Sequence, residues 1–280
     1  MKSNLINPSL KIILLFISFV LTAFIMGGFL LNGLLRIPSQ LANCVVIAAI
    51  VYISYRAYKK EGKNLTELGL NLNFKNLRFA IVGLIIGGIF IIPLVYLIAF
   101  IKGYPVIFNT TFDPAYVLNG LWILAPTVII EELVFRGICF KSTIEITGVI
   151  KANIIFASIF ILSHWINLGA FGSPTNMTLL LITGIGHLLY ATALLKSKTL
   201  YFPIGIHLGN NWVNLYVFNG LDVNDPTAGQ LKHSLINVIA PNSAQVFDGQ
   251  FILTTALTAL LFLLFTFAIY KWNSNKMVNC

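Results

Sequence analysis

Charged residues along this chain gather in short clusters, and between them run long uninterrupted apolar stretches: Ile12–Leu35, Ile37–Tyr55, Phe79–Ile101, Pro114–Ile130, Ala152–Leu195, Thr199–Leu221 and Gly249–Tyr270. A helix needs about 20 residues to cross roughly 30 Å of hydrocarbon, so each stretch can cross a bilayer at least once. Ala152–Leu195 is long enough for two crossings folded at the turn-forming segment from Gly169 to Pro174. The pattern therefore predicts eight helices. Within lipid only helices and closed barrels satisfy every backbone polar group, and these runs are continuously apolar rather than alternating, which decides for helices. The expected fold is an all-α, polytopic integral membrane bundle, a single membrane domain over residues 1–280 without internal repeats. The first run is too long for a typical signal peptide and has no small-residue cleavage site, so it reads as a retained span.

Composition removes the alternatives. Of 280 residues, 58% are hydrophobic and 10% charged, and a mean hydropathy of +0.87 lies outside the range of soluble chains. The net charge of +9 is unevenly placed. Lys2 and Lys11, the Arg56–Arg78 segment, the group Arg136, Lys141 and Lys151, the pair Lys196 and Lys198, and finally Lys271 and Lys276 carry 15 of the 18 basic residues on alternate segments. The intervening loops hold Arg36, Lys102 and Lys232. The positive-inside rule then puts both termini in the cytoplasm, and the basic excess reports topology rather than a nucleic-acid partner. Cys44, Cys139 and Cys280 form no disulfide framework. Asn64–Asn76 reads as an element on the cytoplasmic surface or a solvated loop, and Asp222–Asp248 as a loop over the outer mouth of the bundle.

An ionisable group at membrane depth is costly unless it is paired or faces water, so such groups are functional candidates. Of nine acidic residues, Glu131 and Glu132 alone interrupt a span, within Ile129-Ile130-Glu131-Glu132-Leu133-Val134-Phe135-Arg136-Gly137. Glu132 and Arg136 stand four apart and can neutralise each other on one helix face. Glu131, rotated about 100° away, has no partner in its own segment and is the candidate for reaction. His164 lies in the next span, and His207 and Asn211 share a face of the seventh. Measured from Lys141, Lys151 and Lys198 as boundary markers, Glu131, His164 and His207 lie at depths of roughly 15, 20 and 13 Å, one layer within the bilayer. His187 and Cys139 lack a companion at fitting spacing, and His233 falls in the outer loop, so all three are left outside the site.

Glu-Glu-x-x-x-Arg-Gly, then Phe-x-x-x-His from Phe160 to His164, then His-x-x-x-Asn from His207 to Asn211, in order on successive spans, resembles the CPBP family of CAAX-type intramembrane endopeptidases and bacteriocin-processing proteins, also called Abi. The resemblance runs from about Leu121 to Trp212 and marks a catalytic core over 121–212. Lys198 stands where many relatives have a turn glycine. The resemblance implies a bacterial cell-membrane peptidase in which Glu131 and His164 activate water, His207 and Asn211 stabilise the oxyanion, and Glu132 and Arg136 hold the helix in place, with a site open toward the cytoplasmic half. It implies the bilayer and a membrane-associated protein or peptide as partners. A zinc form, with Glu131, His164 and His207 as ligands, is the second scheme. The chain lacks His-Glu-x-x-His and the metal-free scheme is preferred. Two rival readings are a non-catalytic immunity or scaffold protein that binds peptide with the same constellation, and a small transporter, against which the absent repeats count.

Overall fold

The computed structural model describes residues 7–219, 233–239 and 247–272. Lys2, Lys232, Lys276, Cys280 and most of the Asp222–Asp248 loop lie outside the described residues. The chain is a polytopic helical membrane protein. Its helices are α1 (Pro8–Leu21, continuing as a π-helix through Thr22–Leu34), α2 (Ser39–Lys60), α3 (Phe74–Lys102), α4 (Pro114–Arg136), α5 (Ile138–Thr147), α6 (Val149–Asn167), α7 (Pro174–Ser197), α8 (Tyr201–Trp212, continuing as a π-turn through Val213–Val217) and α9 (Gly249–Lys271). Six of them are long and apolar enough to cross a membrane: α1 with its extension, α2, α3, α6, α7 and α9. With the charged α4 and the short α8 they reproduce the eight expected helices in order. The short helix α5 is not among those eight.

Helix boundaries follow local chemistry. Asn73, Asp113, Ser173 and Asp248 each cap a helix by accepting from a backbone N–H of its first turn. Prolines at the first turns of α1, α4 and α7 occupy the positions where no intrahelical donor is needed. The break between α4 and α5 falls at Gly137, where a Cβ would lie 2.1 Å from the Leu133 carbonyl oxygen, closer than any side chain can stand. Arg136-Gly137 is therefore both the end of the charged motif and the corner at which the chain leaves α4. Helix α7 ends on Lys198 in the left-handed conformation, φ 60°. That is the backbone a turn glycine adopts without strain, and Lys198 adopts it at a cost.

The described core has two apolar clusters. One joins α1, α2, α4, α5 and α6, with Phe19, Ile50, Leu133, Phe140 and Phe156 among its buried members. The other joins α3, α7, α8 and α9 around Phe79, Leu189, Phe202 and Ile206. Helix α7 contributes to both, through Ala191 and Leu194 to the first and Leu189, Tyr190 and Ala193 to the second. Among the described residues the most extensive helix–helix contact is between α3 and α8. There Gly83 and Gly87 face Gly205 and Gly209, and a Cβ on any of the four would come within 2.6 Å of backbone oxygen on the partner helix. Small residues let two backbones meet where lipid supplies no hydrophobic drive between helices. This contact fixes the height of α8, which carries His207 between its two glycines. Large apolar side chains such as Phe24, Phe100, Leu118 and Ile154 remain exposed, as lipid contact requires.

The loops pair by side. Val106–Phe108 (β1), after α3, pairs antiparallel with Ile236–Val238 (β2), after α8, in a two-stranded ribbon that the apolar pattern did not announce. At the other end Lys11 bonds Glu61, Lys63 bonds Glu145 at 2.7 Å, and Lys141 donates to the Glu67 carbonyl. The Glu145 bond raises the Lys63 ammonium above its ordinary pKa. The segment after α2 is more than a solvated loop. It forms a capped 3₁₀ turn at Leu65–Leu68, buries Leu68 completely, and the Gly69 carbonyl accepts from Thr199 at 2.9 Å.

Candidate active site

Three helices bring the ionisable residues together. On α4, the spacing of four puts Arg136 Nη1 3.1 Å from Glu132 Oε1, with both side chains fully buried. Glu132 Oε1 also accepts from His207 Nδ1 on α8 at 2.8 Å. Glu132 is thus more than the partner of Arg136. Because a carboxylate so paired can only accept, the Nδ1 of His207 carries a proton, and its Nε2 is left for Glu131, whose Oε2 stands 3.7 Å away, beyond hydrogen-bond reach. His207 is held between the two consecutive glutamates, one at each ring nitrogen.

His164 on α6 is oriented by the same logic. Its Nδ1 lies 2.8 Å from the Phe160 carbonyl oxygen one turn earlier, so Nδ1 donates there and Nε2 is left for the cavity. Phe160 does a second job: the Arg136 guanidinium carbon sits 4.3 Å from its ring centroid. The spacing of four in Phe-x-x-x-His therefore links the two motif helices.

Glu131, His164, His207 and Asn211 all wall one cavity of about 390 Å³, and so do Tyr190, Asn210 and Asn214. Its remaining lining is largely apolar, including Ile91, Leu94, Val95 and Ile98 of α3 and Leu180 and Ile182 of α7. Glu131 has 29% of its side-chain surface exposed, whereas Glu132 and Arg136 have none, so the two glutamates occupy opposite situations, one facing the cavity and one sealed behind it. Asn210 and Tyr190 were missed in the sequence. Asn210 stands three residues after His207, a spacing that also shares a helix face, and its amide donates to the Tyr190 hydroxyl at 3.2 Å. Tyr190 sits on α7, which bears none of the three motifs, and nothing in its neighbourhood marked it.

The residues left outside stay outside the cavity lining. His187 is fully buried against Phe140, Phe156 and Phe160, and neither ring nitrogen has a hydrogen-bond partner among the described residues. His233 packs beside Tyr116 near the ribbon, and Cys139 is buried in the first core cluster. Among the described residues no group of three or more His, Cys, Asp and Glu side chains is placed to hold a metal ion.

Residues 113–213 match the sequence model of the family described as type II CAAX prenyl endopeptidase Rce1-like. That is the CPBP family, and the matched segment runs from the cap of α4 through the end of α8, holding all three motifs. No curated protein and no solved structure matches the chain.

Proposed function

We propose that the chain is an intramembrane endopeptidase of the cell membrane that hydrolyses a peptide bond of a membrane-associated, CAAX-type substrate, without a metal. The observation that carries this reading is a cavity-facing carboxylate with no lysine or arginine paired to it, Glu131, which shares its cavity with two imidazoles whose Nδ1 atoms are both committed elsewhere. Glu131 takes a proton from a water that also donates to His164 Nε2, and the hydroxide attacks the scissile carbonyl. The developing oxyanion accepts from the Asn211 amide and from His207 Nε2–H in the doubly protonated ring, whose charge Glu132 balances. Glu131 then returns its proton to the leaving amine. Burial of Glu132 between Arg136 and His207 keeps its charge away from the reacting carbonyl. The aliphatic wall of α3 suits an aliphatic or prenyl group next to the cleaved bond. The cavity opens toward the cytoplasmic half, where the positive-inside rule places both termini.

The test is turnover by the purified chain of a quenched fluorescent peptide ending in a farnesylated CAAX sequence, beside the same peptide without the lipid. Wild type is expected to cleave, and Glu131→Gln to lose at least about 10³-fold while accumulating normally. Glu131→Gln with undiminished activity would remove the proposed base. Cleavage of the lipid-free peptide alone would keep the peptidase and discard the prenyl substrate. Peptidomics of membranes containing wild type or Glu131→Gln would then identify what is cut.

A further inference from the structure

We infer that Tyr190 is the positioning residue for His207: its ring, more than its hydroxyl, sets the plane in which the imidazole presents Nε2 to the cavity. This rests on the peptidase reading for its effect on rate, but the geometry stands by itself. The two rings stack at 4.5 Å between centroids and 14° between planes. The last side-chain torsion of histidine is broad and roughly two-fold, so a rotamer preference does not hold the ring plane. One hydrogen bond, from Nδ1 to Glu132, leaves the ring free to swing about that bond. A flat aromatic surface against its face removes that freedom.

Tyr190 is itself held firmly. It is only 5% exposed, and its hydroxyl accepts from the Asn210 amide on α8, three residues beyond His207. The Arg136 guanidinium carbon lies 5.1 Å from its ring centroid. Arg136 bonds Glu132, Glu132 bonds His207, His207 stacks on Tyr190, and Tyr190 touches Arg136, which closes a loop of four side chains from α4, α8 and α7. Helix α7 bears no motif, yet through Tyr190 it supplies one side of the clamp on the histidine. A residue that only filled the core would have no reason to lie parallel to the imidazole or to be bonded to the next turn of its helix.

The experiment compares Tyr190→Phe, which keeps the ring, with Tyr190→Leu, which keeps apolar bulk but no flat face. With the farnesylated peptide, Tyr190→Phe should stay within about fivefold of wild type, the cost of one hydrogen bond. Tyr190→Leu should lose about 10² in kcat with KM within twofold, as misplacement of a reacting group does. The second readout is independent of activity. The chain has four histidines, so 15N-histidine side-chain spectra in detergent at alkaline pH can be assigned with a His207→Gln control. Wild type and Tyr190→Phe should show His207 as the Nδ1–H tautomer alone, and Tyr190→Leu a mixture of tautomers. A single unchanged tautomer in Tyr190→Leu, or equal kcat losses in the two variants, would overturn the inference. If wild type fails to cut the peptide, the peptidase reading fails for that substrate, and the spectra alone decide the role of Tyr190.

Discussion

Replacing Arg136 by methionine removes one member of an ion pair in which both side chains are fully buried. Glu132 would keep His207 as a partner of Oε1, but its Oε2 already has no hydrogen-bond partner among the described residues, so the carboxylate would lose its only opposite charge that does not depend on protonation. Breaking a buried pair from one side costs about 3 to 5 kcal/mol. Loss of the guanidinium contact with Phe160 adds about 0.5 to 2 kcal/mol, part of which the methionine side chain restores. At about 2 to 4 °C per kcal/mol for a chain of this order of size, the midpoint should fall on the order of 10 °C. The assay is thermal unfolding in detergent micelles followed by circular dichroism, run as a double-mutant cycle with Glu132→Gln. That second substitution removes the charge and keeps an oxygen for His207 Nδ1, so the double variant should recover about 2 kcal/mol or more of the loss. Arg136→Met within about 1 kcal/mol of wild type, or a double variant equal to the sum of the singles, would refute the claim that this pair is energetically coupled.

Lys198→Gly should raise the same thermal midpoint by the equivalent of about 0.5 to 1 kcal/mol, because a left-handed lysine is strained and the gain is partly offset by glycine's greater freedom when unfolded. Asn211→Ala should lower turnover of the farnesylated peptide by about 10² to 10³ with binding intact, as loss of one oxyanion donor does. The same preparations should resist a chelator, and stoichiometric zinc measured by mass spectrometry and lost in His207→Ala would sink the metal-free mechanism. A phosphatase fused after Cys280 should be silent, since the positive-inside rule predicts a cytoplasmic end from the placement of fifteen basic residues, and an active fusion would reverse the topology.

The seven apolar runs, the charge alternation and the three motifs were legible in the chain because each depends on local facts: hydrocarbon thickness sets the length of a run, and a helical repeat of 3.6 residues sets the spacing of Glu132 from Arg136 and of His207 from Asn211. The pairing of Glu132 with Arg136, and the lack of a partner for Glu131 in its own segment, could be read from spacing within α4 alone. What spacing does not encode is which helix faces which. That Glu132 accepts from His207, 75 residues away, depends on how glycines let α8 rest on α3, and so does the protonation pattern that leaves Nε2 toward Glu131. Tyr190 and Asn210 entered the site for the same reason: their chemistry comes from neighbours on other helices and leaves no periodic mark on their own. The β1–β2 ribbon joins segments 130 residues apart, each too short to carry an alternating pattern. The chain thus determined which ionisable residues lie at membrane depth, while the packing of α4, α6, α7 and α8 decided which atoms of those residues face the cavity and which are held behind it.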